Sequence, residues 1–321
     1  MRKATAIAHP NIALVKYWGK RDVALNLPAV SSLSLTLDGF RTRTTVEWGA
    51  DHDRVVVGDT RASPQFEARA FAFLDTLIPD RPPLHVLTES NFPVGAGLAS
   101  SASGFAALTM AAQAAAQRSL DPTVLSRLSR QGSGSACRSF WGGFVEWACG
   151  EHEDGSDSHG APIAPQTHWD VRMVVAIVEE GPKGTGSTEG MERSRATSPL
   201  YEVWTQQAQA DVDEGREAVR LRDLDRLGAV MESSTLKMHA TMHTASPPLM
   251  YWKPATLEIL HTVFSLRERG VSAWMTMDAG PQVKVLCTAA DAEQVCKAIQ
   301  PFSRACHILA PGPAAYLDHG P

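Results

Sequence analysis

No stretch of this 321-residue sequence approaches the roughly 20 uninterrupted apolar residues that a membrane-crossing helix needs. The opening MRKATAIAHPNIALVK also lacks an apolar run followed by a small-residue cleavage site. The expectation is a cytoplasmic chain with no membrane partner. Cysteine is sparse: Cys137, Cys149, Cys287, Cys296 and Cys306 are odd in number and form no CxxC pair, which argues against a disulfide framework or a thiolate zinc site. An excess of positive charge is missing too, because 30 Lys and Arg against 35 Asp and Glu leave a formal charge of -5. Nucleic acid is therefore not an expected partner, and an anionic ligand would need locally placed cations. Neither GxxxxGK[ST] nor GxGxxG occurs, so the two commonest nucleotide loops are excluded.

What is present is ordinary globular composition, 44% hydrophobic and 20% charged, enough for a large core in one domain or two fused ones. Apolar patterning predicts strands over 5–8, 33–37, 42–48, 54–57 and 84–87, with one amphipathic helix over 67–77 among them. An Ala-rich helix is expected over 103–117, and another after Pro122 that ends before Gly132. Residues 151–165, EHEDGSDSHGAPIAP, read as an exposed loop before a strand over 171–178. Helical spacing recurs over 211–233 and 256–269. The run VSAWMTM then stops at Asp278, and Ala279-Gly280-Pro281 turns the chain into a strand over 283–287, with Asp278 at the hairpin tip. The fold class is α+β, in two lobes spanning 1–180 and 181–321.

Four segments carry chemistry. PVGAGLASSASG, from Pro93 to Gly104, lies between a strand and a helix; its glycines allow close backbone approach, and the helix start aims free N–H groups and a positive dipole end at an anion. Ser100 and Ser101 add hydroxyls for phosphate or Mg²⁺. HPNIALVKYWGK places Lys16 and Lys20 four residues apart with Tyr17 and Trp18 between them, which suits an anionic substrate, although the segment alone reads more simply as a strand end with solvated lysines and core aromatics. GSGSACRS brings Ser133, Ser135 and Arg138 to a helix-to-loop junction, where a guanidinium can hold a carboxylate or phosphate bidentately. Asp278 on its hairpin is the fourth; alone, it also fits a carboxylate that caps a turn.

Together, HPNIALVKYWGK, LNLPAVSSLSLTL, NFPVGAGLASSASGFAAL, GSGSACRSFWGGFVEW, TGSTEGM with TSPL, and MTMDAGPQVKVL resemble the ordered signature blocks of the mevalonate diphosphate decarboxylases, a branch of the GHMP kinase superfamily. The resemblance runs from about Ala6 to Leu286, and KYWGKRD with MDAGP separates this branch from the kinases. It implies a GHMP kinase-like two-lobed fold, with a left-handed βαβ element in the N-terminal lobe, a C-terminal α+β lobe, and ATP and substrate meeting in the cleft between them. It implies ATP-dependent decarboxylation of mevalonate 5-diphosphate, with Mg²⁺, in a homodimer. A decarboxylase acting on the 5-monophosphate, or a kinase that stops at the 3-phosphate, remains the alternative.

Residue by residue, the resemblance makes Asp278 the catalytic carboxylate, with Arg138 holding the substrate carboxylate and orienting Asp278. Lys20 and Tyr17, with Ser133 and Ser135, would line the substrate phosphates. Asn11 and Lys16 would support the cleft, and Ser187 and Met191 would contact the substrate chain. Gly95, Ala96, Gly97, Leu98, Ala99, Ser100 and Ser101 would hold ATP, the two serines also attending Mg²⁺. Thr188 stands where some bacterial relatives carry a basic residue near the diphosphate. His239 and His243, four apart in KMHATMH, have no evident third ligand and read as packing residues. Cys137 reads as a small buried side chain.

Overall fold

Residues 2–92, 100–181 and 184–320 are described by the computed structural model. Its largest sheet has six strands in the order Tyr316–Leu317, Arg2–Ala8, Thr42–Trp48, Leu84–Ser90, Arg54–Val57, Thr60–Arg61. Arg54–Val57 and Leu84–Ser90 run parallel, joined through the helix Pro64–Leu77, so a βαβ unit is present where one was expected. Ser63 caps that helix by accepting from Phe66 N, and Pro64 occupies the first turn, where its missing N–H costs nothing. The helix Ser100–Ala115 lies against this sheet through Ala106, Ala107, Ala111 and Ala112, all fully buried. Small side chains there let the helix axis come close to the strands, which holds its N-terminus at the cleft.

A second, four-stranded sheet has the order Gly160–Ala164, Phe144–Trp147, Ser32–Thr36, Asn11–Val15. The alternating Ser and Leu of Ser32–Thr36 suggest one wet face, yet every residue of the strand is buried. Leu33 and Leu35 enter the central apolar core, each contributing about 1.5–3 kcal/mol by burial. The hydroxyl face is turned inward as well: Ser34 donates to Val145 O at 3.3 Å and Thr36 to Trp141 O at 2.8 Å. The loop expected over 151–165 is corrected in part, since its end forms Gly160–Ala164, an outer strand that antiparallel pairing with Phe144–Trp147 holds in place.

The third sheet, Ala273–Thr276, Val283–Thr288, Val171–Ile177, Ala305–Leu309, contains the expected hairpin. Val171–Ile177 pairs with strands from the last part of the chain, although a division at residue 180 assigns it to the first lobe. The helix expected over 211–233 is instead two, Tyr201–Leu221 and Leu224–His243. Arg222 breaks it in the left-handed region at φ +58°, and Asp223 restarts it by accepting from Arg226 N at 3.0 Å. Apolar periodicity continues through such a break and so hides it. Tyr316–Leu317 returns to the first sheet, where Asp318 accepts from Arg43 Nε at 2.9 Å.

Candidate active site

Asp278 follows Ala273–Thr276, and Lys284 stands opposite Thr276 across the hairpin, so the antiparallel register brings Lys284 Nζ to Asp278 Oδ2 at 2.9 Å. Lys16, just after Asn11–Val15, donates through Nζ to Asp278 Oδ1 at 3.0 Å and to Ala13 O at 2.7 Å. Its own amide is fixed by Ser234 Oγ at 3.0 Å. Both lysine side chains are 1% exposed and that of Asp278 is 29% exposed. The carboxylate therefore faces the cleft and the two ammoniums lie behind it. Burial by itself would raise the Asp278 carboxyl, but the two ammoniums outweigh burial and hold it well below the usual carboxylate range. Burial also brings Lys16 down to about 8, against the opposing pull of Asp278.

Arg138, 2% exposed, sits on the 3₁₀ segment Gly134–Phe140. Its Nε donates to Asn11 Oδ1 at 3.0 Å, Nη1 donates to Ser32 Oγ at 2.6 Å, and the guanidinium lies 5.7 Å from the Trp147 ring centroid. Asn11 in turn donates to Ser135 O at 3.0 Å and to Ser139 Oγ at 2.8 Å, which fixes its amide orientation and aims its oxygen at Arg138. Arg138 was expected to hold the substrate carboxylate and to orient Asp278. Among the described residues, the side-chain hydrogen bonds to Asp278 come from Lys16 and Lys284, and Arg138 acts on it through charge alone. No carboxylate pairs with Arg138 among the described residues, so its charge is available to a ligand.

Lys20 opens the short strand Lys20–Asp22 and is half-buried. Gly19 sets its direction: φ is +113°, and a Cβ there would fall 1.7 Å from the Tyr201 hydroxyl, which itself donates to Trp18 O at 3.2 Å. Beside Lys20 lies Arg69 of the helix Pro64–Leu77, which donates to Gly132 O at 2.8 Å and covers the Phe105 ring at 4.8 Å. Burial depresses both cations, and Arg69 depresses Lys20 further. Two cations face each other with no carboxylate between them among the described residues, close to the Ser133 hydroxyl, which reaches Ser101 Oγ at 3.3 Å in the first turn of Ser100–Ala115. Such a group fits polyphosphate. Tyr17 packs on Trp147 with ring centroids 4.7 Å apart, and burial raises its phenol, leaving a neutral hydroxyl next to Gly134.

The expected ATP residues Gly95, Ala96, Gly97, Leu98 and Ala99 lie outside the described residues. Ser187 opens the helix Ser187–Thr197. Met191 is buried in an apolar group with Trp18, Tyr201, Trp204 and Tyr251, which makes it a support for the cleft wall. His239 and His243 pack on Trp252, and no cluster of three metal-ligating side chains exists among the described residues. Cys137 is fully buried and burial pushes its thiol up to about 12, as a packing residue would show. Lys284 and Arg69 had not been picked out from sequence. The signal for Lys284 is a lone charge inside the apolar strand VKVLCT, whereas Arg69, an exposed residue on an amphipathic helix, carries no local signal.

A two-lobed α+β fold with these sheets is that of the GHMP kinase-like class. Residues 8–160 match the family described as diphosphomevalonate decarboxylase-like N-terminal domain, and residues 173–310 match the mevalonate 5-diphosphate decarboxylase C-terminal domain. Diphosphomevalonate decarboxylase mvd1 of Aspergillus fumigatus is 38% identical over 93% of this chain and 80% of its own length, and the Homo sapiens diphosphomevalonate decarboxylase is 37% identical over 88% and 76%. The structure of MDDEF in complex with MVAPP, AMPPCP and magnesium superposes with a TM-score of 0.92 at 36% identity, covering 98% of each chain. Mevalonate diphosphate decarboxylase from Staphylococcus aureus gives 0.93 at 32% identity, covering 99% of this chain and 98% of that one. The chain belongs to the diphosphomevalonate decarboxylase family.

Proposed function

We propose that this chain converts mevalonate 5-diphosphate and ATP to isopentenyl diphosphate, ADP, phosphate and CO₂. The observation that carries the assignment is Asp278, an anion open to the cleft and tied down by two buried lysines, with Arg138, which no carboxylate pairs among the described residues, near it. Loss of CO₂ from a 3-hydroxy acid needs a better leaving group than hydroxide, so the 3-oxygen must first be phosphorylated. Asp278 orients the 3-hydroxyl for that transfer. The same anion lies where it can stabilise the positive charge that develops at C3 as the 3-phosphate departs. Arg138 holds the C1 carboxylate bidentately until its electrons flow into the new double bond.

Lys20, Tyr17, Ser133 and Ser135 take the 5-diphosphate, and Ser187 borders the substrate chain with Met191 packed behind the wall. Arg69, with Ser100 and Ser101, takes the phosphates of ATP and the Mg²⁺ that they carry. Mg²⁺ neutralises phosphate charge during transfer. The 3₁₀ segment Gly134–Phe140 and the hairpin come from different lobes, which we divide between Ala164 and Val171 on sheet membership, so the site exists only where the two lobes pack on their shared core. A homodimer in the cytoplasm completes the reading; no described helix is long and apolar enough to cross a membrane.

The assignment is tested by supplying purified protein with ATP, Mg²⁺ and either the 5-diphosphate or the 5-monophosphate of mevalonate, and measuring ADP and CO₂. Equimolar ADP and CO₂ from the diphosphate is expected, with the higher kcat/KM, because a site built for the second phosphate leaves cations unmatched without it. ADP without CO₂ would mark a kinase, and preference for the monophosphate would move the substrate assignment. Ser101→Ala is expected to lower turnover substantially at an unchanged melting temperature, since Ser101 is exposed at the helix start. Full activity would remove it from the site.

A further inference from the structure

One cation is enough to balance Asp278, and Lys16 supplies it at 3.0 Å. Lys284 adds a second at 2.9 Å, from a strand whose residues Val283–Cys287 are all buried and where an apolar side chain would continue the pattern. Burying an ammonium carries a large desolvation penalty that pairing offsets only in part. Stability of the hairpin therefore does not account for a lysine here.

We propose that Lys284 is a positioning residue for the decarboxylation: with Lys16 it ties one carboxylate oxygen each, so that Asp278 can neither rotate away from the substrate's 3-hydroxyl nor take up a proton in the resting site. The inference rests on the role given to Asp278 above. Among the described residues, four charged or titratable groups face Asp278: Lys16 from the end of Asn11–Val15, Lys284 from Val283–Thr288, Arg138 from the 3₁₀ segment and His239 from Leu224–His243. His239 adds no charge. Its Nδ1 accepts from the Trp252 indole at 3.0 Å, which places the proton of the neutral ring on Nε2, and burial lowers the ring to about 3. Among the described residues only the two lysines touch the carboxylate, so removing Lys284 leaves Lys16 as the one direct cation among them.

The sign of the effect follows. A carboxyl held down by two cations rises when one is removed, so the acid limb of kcat, where Asp278 loses its charge, moves to higher pH. Wild type, Lys284→Met and Lys284→Arg are compared from pH 3 to pH 9, a window that reaches the carboxylate range, with the same substrates, whose own titration then cancels. For Lys284→Met we expect kcat to fall about tenfold or more, the acid limb to move up by about one pH unit or more, and KM for ATP to stay within about twofold. Lys284→Arg, which keeps the charge, is expected to return the limb to its wild-type position. Should the Met variant not fold, Lys284→Gln is read in the same way. A limb that stays in place while activity and melting temperature fall together makes Lys284 a structural residue and overturns the inference, as does unchanged kcat. Full turnover by Asp278→Asn would instead remove the reading on which the inference stands, whatever Lys284 does.

Discussion

Asp278→Asn is expected to lower kcat by roughly a hundredfold or more, the range for loss of a positioned acid-base group, with ADP and CO₂ falling together. The substitution keeps size and one hydrogen-bonding oxygen but removes the charge that Lys16 and Lys284 bracket. Phosphorylation of the 3-oxygen precedes elimination, so a group that orients the 3-hydroxyl governs both products. Binding of ATP and substrate should change little, because their phosphates meet Lys20, Arg69 and the serines and not Asp278. Two lysines facing a neutral amide will also repel each other. Lys16, already brought down to about 8 by burial, is expected to release its proton once the carboxylate is gone, which relieves that penalty and lets the fold survive. ADP at the normal rate without CO₂ would confine Asp278 to the elimination step. Retention of both products would take it out of the reaction.

Arg138→Gln is expected to lower kcat/KM by two orders of magnitude or more, matching the 2–5 kcal/mol or more typical of truncating a buried, hydrogen-bonded charge. Asn11 and Ser32 already hold two edges of the guanidinium, and no carboxylate balances it among the described residues, so the substrate carboxylate is its natural anion. Arg138→Lys should not rescue activity. A single ammonium on a flexible stem cannot hold Asn11, Ser32 and a carboxylate in one plane. Steady-state kinetics with varied mevalonate diphosphate at saturating ATP measure the loss. A kcat/KM within about threefold of wild type in a folded Gln variant would show that the carboxylate is bound elsewhere, since an interaction of this class is worth far more than that.

Local chemistry wrote several elements openly. Alternation and turn residues marked Thr42–Trp48, Arg54–Val57 and the hairpin around Asp278, because pleated strands and Gly-Pro turns have short-range signatures. Signature blocks pointed to Arg138, Lys20, Ser101 and Asp278. Features set by contact over long separations were hidden. The break at Arg222 rests on one left-handed residue inside a continuous helical pattern, and Gly160–Ala164 exists because Phe144–Trp147 offers it a partner.

What the sequence determined by itself was the type of chemistry: which hydroxyls, cations and carboxylate were available and which lay on turns or helix starts. Tertiary structure decided how they are paired. Lys16 and Asp278 are 262 residues apart, and nothing near either predicts their ion pair. The sequence marks a strand at 33–37 but not what covers it; its hydroxyl side supplies Ser32 to Arg138 because another element packs there. Lys284 passed for an ordinary strand residue until the hairpin register set it against Asp278. Residue type and local spacing are properties of a short segment, whereas burial and charge pairing depend on which distant segment covers it, and only the closed fold supplies that neighbour.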